Sequence, residues 1–185
     1  MKKKTVYLTL LLWLILLASA HSAYWESPIT QVGVISPNPS SEAGRILVKF
    51  DLPEQLNGAF IDYAELSFTA TPDTGSSYIC LLGAFPVTKS WESGVISWSG
   101  GWNNAGGDYT DSMYACTLIR TSPDLPTTID ISGIVQSWVD GALRNYGLII
   151  MPLEDANRFL KLRSTAGFAP NVKAKVRIFF TSMEP

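Results

Sequence analysis

Along residues 172–180 apolar and polar side chains take turns: Val172, Ala174, Val176, Ile178 and Phe180 fall on one side, Lys173, Lys175, Arg177 and Phe179 on the other. A period of two sustained over nine positions marks a strand with one buried face, and it commits the chain to a sheet whose other face meets solvent. The same alternation runs through 45–50, with Ile46, Val48 and Phe50 set against Arg45, Leu47 and Lys49, and Asp51-Leu52-Pro53 ends it. Ala64, Leu66 and Phe68 alternate with Glu65, Ser67 and Thr69 between the turn signals Asn57-Gly58 and Pro72-Asp73. Further strands are expected at 78–87, 95–98, 148–151 and 158–163.

Helical spacing occurs once, in Ile131, Ile134, Val135, Trp138 and Val139, with Asp130 or Ser132 placed to cap the start and Gly141 just past the end. Residues 99–112, with four Gly, two Asn and two Asp, have loop composition. Many short strands separated by turns, with a single short helix, predict an all-β, antiparallel β-sandwich.

The first residues read differently. Lys2, Lys3 and Lys4 precede an almost wholly apolar run to Leu17, and Ala18-Ser19-Ala20 offers the small side chains of a signal-peptidase site. Residues 1–20 are therefore expected to be a secretory signal and 21–185 a single domain, secreted or displayed at a cell surface, with no membrane span in the mature protein. Removing the signal takes away three Lys and no acid, so the formal charge moves from −2 to −5. No nucleic-acid partner is expected of so acidic a chain. The residues after the signal, broken by Pro28, Pro37 and Pro39, are expected to be a loosely attached strand.

Composition excludes several chemistries. The one histidine, His21, falls at the new N-terminus, so neither a Ser-His-Asp triad nor a histidine metal site can be built inside the fold. Paired-carboxylate chemistry is left open by number alone, but the acids form no recognisable constellation, and a non-enzymatic protein is expected. Asn103, Asn104, Asp108 and Asp111 offer oxygen ligands for calcium, though without EF-hand spacing; turn-forming is the more economical reading of such residues in a Gly-rich loop. No other cofactor is indicated. Export favours a Cys80–Cys116 disulfide, which would stabilise by roughly 4 kcal/mol in the chain-entropy model; the alternative is two separate small hydrophobes in the core.

Positive charge is unevenly placed. Arg45, Lys49, Lys161, Arg163, Lys173, Lys175 and Arg177, seven of the eleven basic residues after the signal, fall on predicted strands. If the last two strands are neighbours, these side chains form one basic stripe on a sheet face. Such a stripe attracts an acidic polysaccharide, or else serves only to keep strand edges from aggregating. Trp102, between Gly101 and Asn103, is the expected aromatic platform for a sugar ring; Trp91 and Trp138 are expected in the core, and Trp98, Tyr109 and Tyr114 suit either place.

The order of short motifs resembles the DNRLRE-type secreted domain, related to the alginate-binding carbohydrate-binding modules. The matching pieces are Ile46-Leu47-Val48-Lys49-Phe50-Asp51-Leu52, Ile61 with Ala64-Glu65-Leu66, Trp91-Glu92 followed by Val95-Ile96-Ser97-Trp98, and Ile129-Asp130-Ile131 with Val135, Trp138 and Gly141. Asn145-Tyr146-Gly147-Leu148 and Arg163-Ser164, leading through Pro170 to the last strand, complete the set. The chain departs from that pattern at 24–34, where Glu26 is the sole acid, and after Ser164, where no acid follows closely. The resemblance implies a jelly-roll sandwich, non-catalytic, that binds a polysaccharide or cell-wall glycan. The alternative is a cell-surface or filament subunit that self-assembles by adding its N-terminal segment to a neighbouring sheet.

Overall fold

A computed structural model describes residues 20–38, 44–72, 79–112, 114–120, 126–153, 160–162 and 174–183. All but Ala20 of the expected signal segment lies outside them. The described strands are β1 (Ala20–Pro28), β2 (Gln31–Ile35), β3 (Arg45–Lys49), β4 (Phe60–Phe68), β5 (Ala70–Pro72), β6 (Ile79–Pro86), β7 (Ala115–Arg120), β8 (Thr127–Asp130), β9 (Leu148–Pro152), β10 (Leu160–Leu162) and β11 (Lys175–Met183), with helix α1 (Ser132–Val139) between β8 and β9. They form a four-stranded sheet, β1-β11-β4-β8, and a five-stranded sheet, β2-β3-β9-β6-β7, with β10 paired to β5 apart from both. Every pairing is antiparallel. The fold is thus the expected antiparallel sandwich, jelly-roll-like, with one short helix.

Between the two sheets lies the main core. Ala174, just before β11, and Val176, Ile178 and Phe180 of β11 meet Ile46 and Val48 of β3, Leu148 and Ile150 of β9 and Leu66 of β4, all buried. α1 closes one end of this core, burying Ile134, Val135 and Trp138. Its N-cap is Ile131 rather than Asp130 or Ser132 and makes no side-chain cap bond; the Asp130 carboxylate one residue earlier accepts the Ser132 amide at 2.9 Å, and Gly141 follows the helix end with φ +71°. Gln136 accepts the Ile61 amide at 2.7 Å, tying the helix to β4 beside a register shift opposite Phe179 and Phe180.

The five-stranded sheet departs from the half-buried pattern. Leu47, placed outward by alternation, is fully buried, as is Ile149 beside it. The connection 87–112 folds back over this outer face and lays Trp91 and Trp102 against Ile35, Leu47, Phe85 and Ile149, making a second core. Residues 95–98, expected to be a strand, belong to this cover: the Val95 amide bonds the Glu92 carbonyl, the Ser97 amide that of Gly100, and Ile96 seats against Gly33. A turn rather than a strand results, because Gly94 and Gly101, both at positive φ, reverse the chain on either side.

The N-terminal segment is integral rather than loosely attached. All nine residues of β1 pair with β11, and β2 pairs with β3, so one stretch of chain supplies an edge strand to each sheet. The proline breaks that suggested a loose strand instead mark the crossing at Pro28 and the exit after β2.

No disulfide joins Cys80 and Cys116. β6 and β7 are neighbours, but Cys80 pairs with Ile119 while Cys116 faces Gly83, a slip of about 10 Å along the strands. The odd offset also puts them on opposite faces, Cys80 in the main core and Cys116 exposed, whereas a bridge needs Cα atoms about 4.4–6.8 Å apart.

The pleat of β11 yields a direct test. Ile178→Ala should cost about 2–5 kcal/mol, as for other buried aliphatic truncations, while Phe179→Ala one position on should cost about 1 kcal/mol or less. Urea unfolding of the two variants measures both, and equal losses would contradict the assignment of faces.

Candidate functional site

The basic residues do not form one stripe, because the last two strands are not neighbours. β10, which carries Lys161, pairs with β5, whereas β11 lies between β1 and β4. Lys175 and Arg177 are on the outer face of the four-stranded sheet, and Arg45 and Lys49 belong to the other sheet altogether. Arg163 and Lys173 lie outside the described residues.

Arg45 is engaged within the fold. Its guanidinium sits 4.9 Å from the Trp98 ring centroid and 5.7 Å from that of Tyr109, and donates to the Gly106 carbonyl at 2.7 Å. A side chain at position 106 would run into Arg45, and one at 107 would press on Ile149 and Ile35, which is why two glycines at positive φ stand there. Arg45 therefore clasps the covering loop instead of presenting a charge to a ligand. Trp102 is likewise inside, 9% exposed, with Nε1 donating to the Ser97 carbonyl at 3.0 Å. Trp91 and Trp138 are core residues as expected, and Tyr114 is exposed.

The Asp108 carboxylate is committed to its own loop. It accepts the amides of Asn103 at 2.7 Å and Asn104 at 2.9 Å, and the Asn104 side chain at 3.0 Å. Burial alone would raise its pKa, but these donors outweigh burial and hold it below the usual carboxylate value. The turn reading of these residues accounts for both oxygens, and among the described residues no cluster of three or more His, Cys, Asp or Glu has metal-binding spacing.

The outer face that bears Lys175 and Arg177 carries an aromatic row that the residue pattern alone did not single out. On the outer face of the four-stranded sheet, Tyr24 of β1, Phe179 of β11 and Tyr63 of β4 stand in register. Ring centroids are 4.9 Å apart for Tyr24 and Phe179, and 6.3 Å for Phe179 and Tyr63. The three are 52%, 39% and 37% exposed, and Phe60, two pairs further along opposite Thr181, is 66% exposed. A signal existed: Phe179 sits among the outward residues of the last strand, where an apolar ring has no packing reason to be.

Beside the rings runs a charged row, Glu26, Arg177, Glu65 and Asp130, again in register across four strands. Glu26 accepts Lys175 Nζ at 3.0 Å and Arg177 Nε at 3.1 Å, and Glu65 accepts Arg177 Nη1 at 2.9 Å. The two tyrosines are tied to this row through their hydroxyls: Tyr24 donates to Glu26 at 2.8 Å and Tyr63 to Glu65 at 3.2 Å. The Tyr24 hydrogen bond, followed by that of Lys175, brings the Glu26 carboxyl down to about 2. The same bond raises the Tyr24 phenol, while burial, ahead of the Glu65 charge, raises that of Tyr63. A row of exposed rings with donors and acceptors alongside is suited to a ligand with apolar faces and many hydroxyls.

On the other side of the sandwich, a half-open cleft of about 300 Å³ lies between the end of β2 and the covering loop, beside Ser36, Asn38 and Trp98. A scan against protein-family models and a search of curated proteins find no match to this chain.

The Glu26 network has a definite pH signature. Because its folded pKa lies below the ordinary value of 4.5, its stabilising effect is complete above that value and is lost as the pH falls toward 2. NMR titration of the Glu26 carboxyl should give a midpoint near 2; a midpoint near 4.5 would mean that Tyr24, Lys175 and Arg177 do not hold it.

Proposed function

We propose that this protein is a secreted, non-catalytic glycan-binding module whose ligand lies on the outer face of the four-stranded sheet. The observation that carries the reading is the in-register row of Tyr24, Phe179 and Tyr63, which remains exposed in a fold that buries Trp91, Trp102 and Trp138. Leaving rings in water forgoes the stabilisation of burial, and sugar pyranose faces are the ligand class that stacking best rewards. The neighbouring Glu26, Arg177 and Glu65, bonded to one another, have the charged oxygens and nitrogens that form strong hydrogen bonds with hydroxyls. A leader-like N-terminus, the sandwich and a motif order that resembles DNRLRE-type domains support the same reading. The basic face expected to hold the glycan does not act as one unit, since Arg45 and Lys49, Lys161, and Lys175 with Arg177 sit on separate sheets and Arg45 is occupied by the loop; only Lys175 and Arg177 border the rings.

Affinity electrophoresis through gels with and without polysaccharide tests this. The wild type should be retarded by at least one polymer, and Tyr63→Ala or Phe179→Ala should weaken that retention by about tenfold, the worth of one good aromatic contact. Retention unchanged in both variants would rule out the aromatic row as the site.

A further inference from the structure

Resting on the glycan reading above, we infer that the ligand is an uncharged polysaccharide chain that crosses the strands over Tyr24, Phe179 and Tyr63, and that acidic polymers are disfavoured at this face. Direction follows from register. The three rings occupy one cross-strand row, while along β11 itself Phe179 is flanked on the same face by Arg177 and Thr181. A chain running parallel to the strands meets Phe179 alone on β11, whereas one running across them meets three rings in succession. The charged row lies two residues away, about 7 Å, and parallel to the rings, so a crossing chain keeps its hydroxyls beside Glu26, Arg177 and Glu65 along its length.

Charge class follows from pairing. Both cations next to the rings are held by carboxylates: Lys175 by Glu26, and Arg177 by Glu26 and Glu65. Asp130 stands in the same row, and Asp62, bonded by Thr181 at 2.8 Å, flanks its far side. Four carboxylates against two cations make the surroundings of the rings net negative. An acidic chain arriving there must displace an intramolecular partner before it gains a cation, and it meets an excess of like charge. Neutral hydroxyls face no such exchange, because they donate to the carboxylates and accept from Lys175 and Arg177 without breaking either pair.

The test compares a neutral glucan, xylan and mannan with alginate and pectin in gels at low and moderate salt, using the mature wild type and a Glu26→Gln/Glu65→Gln variant. Retardation of the wild type by a neutral polymer, changing less than about twofold with salt, and none by alginate or pectin, is the expected result. The double variant should gain retardation by alginate at low salt that fades as salt rises, because Lys175 and Arg177 are released. Wild type retarded by alginate or pectin but by no neutral polymer would overturn the charge assignment while leaving glycan binding intact. Retardation by no polymer would overturn the glycan reading itself. The wild-type comparison decides the charge class even if the variant fails to fold.

Discussion

β11 is hydrogen-bonded on both sides, to β1 and to β4, and its pleat divides its residues between two environments. Val176, Ile178 and Phe180 hold the main core, while Lys175, Arg177 and Phe179 carry the middle of the outer face. Because side chains alternate, a slip of one residue would exchange these sets, exposing the core and burying two charges at a cost no nearby contact offsets. The register that builds the core therefore also aligns Tyr24, Phe179 and Tyr63, and stability and the proposed site share one constraint.

The opposite sheet is organised by the reverse condition. Its outer face is apolar at Ile35, Leu47, Phe85 and Ile149 and would be a liability in water, so the connection 87–112 closes over it. Arg45 is the clasp, held by two rings and one carbonyl, and Asp108 shapes the turn that brings Gly106 and Gly107 close to the sheet. Trp91, which donates to the Tyr146 carbonyl at 2.7 Å, and Trp102 act as the underside of this cover. Of the two broad faces, the four-stranded one is thus left with an open aromatic surface.

Alternation made β3, β4 and β11 legible in the sequence, and the helical spacing of Ile134, Val135 and Trp138 made α1 legible, because these signals are local. β1 was obscured because its apolar residues are few and it is an edge strand, where pairing rather than burial fixes the conformation. The inward or outward sense of Leu47 and Trp102 depends on a loop packing back over a sheet, which no period in the sequence encodes. The basic stripe failed for a related reason: sheet membership is a long-range property, and β10 and β11 follow one another in sequence without pairing in the fold. Likewise, both cysteines lie on paired strands, and only their register keeps them apart. The aromatic row needed the positions of β1, β4 and β11 together before its three rings could be seen as one surface.

The central claim is that a glycan rests on the outer face of the four-stranded sheet, and the most direct measurement is NMR of the ring resonances as a neutral oligosaccharide is added. The account predicts saturable shifts of Tyr24, Tyr63 and Phe179 at a common midpoint, with the Trp91 and Trp102 indoles unmoved beneath their loop. Shifts confined to Trp98 and its cleft, with the three rings of the four-stranded sheet unchanged, would contradict it.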